Sequence, residues 1–128
     1  MQHNFPLETM PTLIRDFASY KLTIQGCSQK TVNEYLSDLR LFFRYIYAKR
    51  NNINIYSDDF SNIVLSSLST DFLCSVTTEE IYDFFVYISN DRANHTCAKS
   101  RKLSAIKAFY KFVCQKRRLL EKNPAIDI

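Results

Sequence analysis

Glycine occurs once in these 128 residues, at Gly26, and proline three times; the pairs Asn-Gly and Asp-Gly do not occur. A β-sandwich or barrel needs a supply of such turn formers, so their scarcity speaks against one and leaves an all-helical domain as the simpler reading. No apolar run approaches the roughly 20 residues that span a bilayer. The opening MQHNFPLETMP lacks the charged and apolar regions of a signal peptide, so the expected location is cytoplasmic, with no membrane partner. No Cys-x-x-Cys pair occurs: Cys27, Cys74, Cys97 and Cys114 stand 47, 23 and 17 residues apart, and the only histidines are His3 and His95. Zinc needs ligands clustered at short spacing. The expectation is therefore reduced, packed thiols, no metal, no cofactor and no small-molecule substrate.

What is present is a core and a segregated charge. An apolar share of 46% and an aromatic share of 14% suit a packed protein, and the length suits one compact domain over residues 1–128. The net charge of +4 hides a strong asymmetry. Residues 1–50 hold seven bases and four acids, residues 51–91 hold seven acids and no base, and residues 92–122 hold ten bases and one acid. A cationic region beside an acidic one suits a polyanionic partner met in one orientation.

Periodicity and caps predict four substantial helices. The first runs from about Pro11 to Ile24, with Pro11 in the first turn, Gly26 as its stop, and Leu13, Ile14, Phe17, Tyr20 and Ile24 as its apolar stripe. The second is capped by Ser28 and runs to about Arg50 on Val32, Leu36, Leu39, Phe43 and Ile46, widened by Tyr35, Phe42 and Tyr47. Residues 51–69 read as a long connection, with a helical turn near Asp71–Ser75 after it. Thr77 and Glu80 stand in capping-box relation before a third helix from about Thr78 to Asn90. The fourth starts near Thr96 and reaches about Arg118. No heptad pattern persists, so an orthogonal four-helix bundle is expected rather than a coiled coil.

The fourth helix carries eight cations between Lys99 and Arg118 and no acid. At 100° per residue, Leu103, Ile106, Phe109, Tyr110 and Val113 fall in one arc. Roughly opposite lie Ser100, Ser104, Lys107, Lys111, Gln115 and Arg118. Phosphates are met by Lys, Arg and Ser, and base edges by Arg, Lys, Gln or Asn, so this is the composition of a DNA-facing helix. The second helix offers a weaker version in Lys30, Asn33, Ser37, Arg40 and Arg44, flanked by Glu34 and Asp38.

Three stretches, SQKTVNEYLSDLRLFFRYI (Ser28–Ile46), TTEEIYDFFVYIS and RKLSAIKAFYKFVCQKRRLLEKNPAIDI, carry a resemblance in order and spacing. They resemble the N-terminal core-binding domain of tyrosine recombinases, the phage integrase and Xer-type site-specific recombinases, from Thr31 to Ala125. The resemblance implies a SAM-like four-helix bundle packed on one side of duplex DNA, with its second and fourth helices near major grooves. It implies DNA contacts from Lys30, Thr31, Asn33, Ser37 and Arg40, and from Lys99, Ser100, Arg101, Lys102, Ser104, Lys107 and Lys111. Other recombinase protomers on the DNA are implied as partners. Thr31 also has a local reading as a first-turn cap.

The resemblance further implies that catalysis belongs elsewhere. The family's tyrosine nucleophile and its Arg, Lys and His partners come from a C-terminal domain, which would begin where NPAIDI ends. No His-x-x-Arg element occurs, since Ala98 stands three residues after His95. None of the eight tyrosines is nominated as nucleophile, and this chain is not expected to cleave DNA by itself. A different reading is a helical protein-interaction module in which the acidic segment 51–91 of one copy meets the basic fourth helix of another.

Overall fold

The computed structural model describes residues 5–90 and 96–128. They are all-α, as expected: helices and turns, with no strand among the described residues. The chain divides into two compact units, Met1–Leu73 and Cys74–Ile128.

In the first unit α1 (Thr12–Ser19) buries Leu13, Ile14, Phe17 and Ala18. Pro11 is the residue before the helix rather than in its first turn, extended at ψ 155°, and its carbonyl accepts from the N–H groups of Ile14 and Arg15. Beyond Ser19 the helix widens into a π-type turn, Tyr20–Ile24. Gln25 N–H donates to Tyr20 O, Gly26 turns left-handed at φ 67°, and Cys27 N–H donates to Lys21 O at 2.9 Å. The wider turn takes Ile24 off the apolar stripe on which the sequence places it, and Ile24 is exposed.

α2 (Gln29–Arg50) begins as expected. Ser28 is extended and its Oγ accepts from Thr31 N–H at 3.1 Å. Val32, Leu36, Leu39, Phe42, Phe43 and Ile46 are buried. The helix closes at Asn52, left-handed at φ 56°, with Ile53 N–H donating to Ala48 O at 2.9 Å, so asparagine does at this end what glycine usually does.

The segment 51–69 is more structured than the sequence predicts. It holds a one-turn helix α3 (Asp58–Ser61) and a 3-10 turn (Leu65–Ser67), and it buries Phe60, Ile63, Leu65 and Leu68. Each piece is about one turn long, too short to leave a periodic signature. α4 (Thr70–Cys74) matches the helical turn expected near Asp71.

In the second unit α5 (Thr78–Asn90) buries Ile81, Phe84, Tyr87 and Ile88. Its capping box is formed: Thr77 N–H donates to Glu80 Oε1 at 3.0 Å, and Glu80 N–H donates to Thr77 Oγ1 at 3.2 Å. α6 (Thr96–Lys111) then widens into a second π-type turn, Phe112–Lys116. Here Arg117 N–H donates to Phe112 O, Arg118 turns left-handed at φ 53°, and Leu119 N–H donates to Val113 O. The Asn-Pro-Ala turn that follows is structural. Asn123 Oδ1 accepts from Ala125 N–H at 2.8 Å, Ala125 is buried, and Thr78 Oγ1 donates to Pro124 O at 2.7 Å, tying the tail to the start of α5.

No helix among the described residues is long and apolar enough to cross a membrane.

Candidate nucleic-acid interface

α6 separates its two faces cleanly. Ala105, Ile106, Phe109, Tyr110, Phe112 and Val113 are buried, with the Phe109 and Tyr110 rings packed edge to face at 5.1 Å. Leu103, placed in the apolar arc by the sequence, is half-buried. On the opposite side Ser100, Arg101, Ser104 and Lys111 are exposed, and Lys107 is half-exposed. These groups donate hydrogen bonds and carry positive charge, and no acid lies among them, so they can meet successive phosphates.

Two lysines of this helix do not share that face. Lys102 is only 8% exposed and Lys99 is half-buried. Lys102 stands seven residues before Phe109 and Lys99 seven before Ile106, two full turns each, so both fall on the apolar stripe. Contacts from these two lysines are implied by the resemblance alone; their heptad offset, readable in the sequence, puts them on the apolar side.

Gln115 and Arg118 are exposed, but they do not continue the Lys107–Lys111 stripe as a wheel of constant step would have it. The i→i+5 turn at Phe112–Lys116 advances each residue by less than an α-helix does. Arg118 moreover lies beyond the helix, in its left-handed cap.

On α2 the expected face is mostly engaged by the fold. Lys30 and Ser37 are exposed. Ser28 is the cap: its Oγ accepts from Thr31 N–H at 3.1 Å and its hydroxyl donates to Thr31 Oγ1 at 3.0 Å, so Thr31 is capped and is not itself the cap. Asn33 Oδ1 accepts from Phe5 N–H at 3.2 Å and from Gln29 Nε2 at 2.9 Å, tethering the N-terminal segment. The Arg40 guanidinium lies over the Phe5 ring at 4.8 Å. Arg44 is half-buried, and burial first, then the neighbouring charge of Arg40, holds its pKa below the usual arginine value. One turn further along the same line Ala48 is fully buried. Asp38 is buried as well, so it is part of the packing and not a rim acid that would weaken an exposed field.

Cys27, Cys74 and Cys114 are in no disulfide, and burial pushes the Cys114 thiol up, away from the thiolate that reacts. Among the described residues no three His, Cys, Asp or Glu side chains gather where an ion could sit. His3 and His95 lie outside the described residues.

Much of the resemblance rests on packing: Asp38, Leu39, Phe42, Phe109, Tyr110 and Ala125 are all buried. A tyrosine recombinase XerC of Caldanaerobacter subterraneus subsp. tengcongensis is 30% identical over 120 residues, covering 92% of this chain and 33% of that protein. Tyrosine recombinases XerC of two Leptospira interrogans strains are 24% identical over 124 residues, covering 97% of this chain and again 33% of theirs. No family model and no solved structure matches. The resemblance to the tyrosine recombinases is therefore borne out over nearly the whole chain, which spans about one third of the length of the relatives it matches.

Proposed function

We propose that this chain is a duplex-DNA-binding module of a tyrosine recombinase, the part that holds a recombination site while the remainder of such a protein performs strand exchange. The observation that carries the reading is the α6 face: Ser100, Arg101, Ser104, Lys107 and Lys111 with no acid among them, backed by the buried side chains of Ile106, Phe109, Tyr110 and Val113. A face of that composition neutralises phosphates and displaces their counterions. The SAM-like four-helix arrangement, the approach to major grooves, the assembly with further protomers on DNA and action in the cytoplasm all belong to this same proposal. The chain itself is expected to bind and not to cleave.

The test is fluorescence anisotropy of a labelled duplex titrated with the protein at several salt concentrations, with a recombination-site sequence beside a scrambled one. Affinity should fall steeply with salt, at a slope of about −0.9 per phosphate neutralised, and the native site should bind more tightly. Absence of binding at low salt overturns the reading.

A second reading has an observation of its own. α5 exposes Tyr82 and Val86 beside the acids Glu79 and Asp83, a surface suited to a basic, partly apolar protein partner. Self-association that grows as salt is lowered, without any duplex affinity, would favour it.

A further inference from the structure

Arg40 and Arg44 stand one turn apart on α2, where like charges repel. Arg40 turns part of its field onto the Phe5 ring. Arg44 has no comparable outlet: its Nε is sealed from solvent and has no hydrogen-bond partner. A buried guanidinium N–H left without an acceptor is costly, and a nearby counter-charge lowers that cost. Both arginines line a cavity of about 300 Å³ whose other walls are Ile63, Val64, Leu65 and Ser66 on one side and Glu8 and Thr9 on the other.

We propose that this cavity is a binding site for one phosphate oxyanion, held by the guanidinium groups of Arg44 and Arg40. A phosphate there would neutralise the like-charged pair and accept charge-assisted hydrogen bonds from their outer nitrogens. The apolar wall of Ile63 and Leu65, both buried, shields that attraction from salt more than an exposed contact would be shielded. Ser66 adds a hydroxyl donor at the wall. Glu8 is the acid of the lining, and its carboxylate opposes the anion, so it limits affinity.

The proposal does not depend on the reading of α6 as a DNA face. The phosphate can come from a free phosphate or from the backbone of a nucleic acid, and competition separates the two. If a short duplex displaces inorganic phosphate, the natural occupant is a backbone phosphodiester; if duplex and phosphate bind together, it is a free phosphate group.

The test is isothermal calorimetry and thermal unfolding of the full 128-residue chain with sodium phosphate against sodium chloride at matched ionic strength. Saturable binding and a rise in Tm specific to phosphate are expected. Arg44→Gln should weaken it by about tenfold or more, the effect of one lost charge-assisted bond, and Glu8→Gln should tighten it. Should Arg44→Gln fail to fold, Arg40→Gln tests the same site through the other cation. Lys111→Glu, on α6, should leave phosphate affinity unchanged. Absence of a saturable phosphate effect, or an equal effect in the wild type and in the folded arginine variants, overturns the proposal.

Discussion

α2 and α6 carry the same kind of sequence pattern, an apolar stripe backed by cations and small polar residues at steps of three and four, yet the fold treats the two polar faces differently. On α6 the face stays open, with Ser100, Arg101, Ser104 and Lys111 exposed. On α2 much of it is closed, with Asn33 already half-buried near the start of the helix. Lys30 and Ser37 are exposed, Arg40 and Arg44 are half-buried, and Ala48 on the same line is completely covered. Phe5 meets Asn33 and Arg40, and Glu8, Thr9 and Ile63–Ser66 line a cavity with Arg40 and Arg44. A polar face is thus a property of a helix and its neighbours together, and a wheel supplies only half of it.

The comparison breaks most violently where α6 is held from behind. Phe109 is fully buried against Tyr110, so Phe109→Ala should cost about 3–5 kcal/mol in stability. Duplex binding should fall with it, because the face loses its support. Thermal or denaturant unfolding reads the first effect, and an unchanged Tm would mean that the Phe109 site can collapse without loss.

Reversing charge on the open face should separate binding from folding. Lys107→Glu with Lys111→Glu should weaken duplex affinity by at least about tenfold and lower the salt slope by about 1.8, two contacts' worth, while Tm moves little. Anisotropy and unfolding on the same preparation decide it. Equal duplex affinity for parent and double variant would remove α6 from the interface.

The helices themselves were legible because their signals are local. Ser28 caps α2, Thr77 and Glu80 form their box, and the long apolar stripes of α2, α5 and α6 are buried as spaced. Short structure was not legible: Asp58–Ser61 and Leu65–Ser67 are each too brief for a period to show. The two π-type turns left no mark either, since YKLTI and FVCQK differ in composition yet adopt the same backbone path. For the site, the cations of α6 were identifiable from charge, and the covering of Lys102 from its offset to Phe109. The burial of Arg44 was not, because it depends on residues some twenty and more positions away in sequence that no pattern connects to it.

The closed face of α2 should behave in the opposite way to the open one. Asn33→Ala removes the acceptor for Phe5 N–H and Gln29 Nε2 and should cost about 0.5–1.5 kcal/mol, with duplex affinity changed by about twofold or less. The idea is falsified if Asn33→Ala weakens the duplex as much as the α6 charge reversals do at unchanged stability, for then Asn33 reads DNA rather than tethering the N-terminal segment.

The smallest effect lies at the ends of the two widened helices, which share a path but not a residue. Gly26 takes the left-handed position after α1 and Arg118 takes it after α6. A Cβ at Gly26 would meet nothing within 4 Å, so Gly26→Ala should cost only the backbone penalty, about 1 kcal/mol. Arg118 already bears that penalty, partly offset by a cation at a helix C-terminus, a contribution of about 0.3–1 kcal/mol. Arg118→Gly should therefore raise stability by a few tenths of a kcal/mol at most, and Arg118→Asn should do so while keeping a side chain that tolerates the left-handed region. Either change should lower the salt slope of duplex binding by about 0.9 if Arg118 meets a phosphate. A slope that stays constant while Tm rises would mean that Arg118 contributes nothing to the interface and only closes the helix.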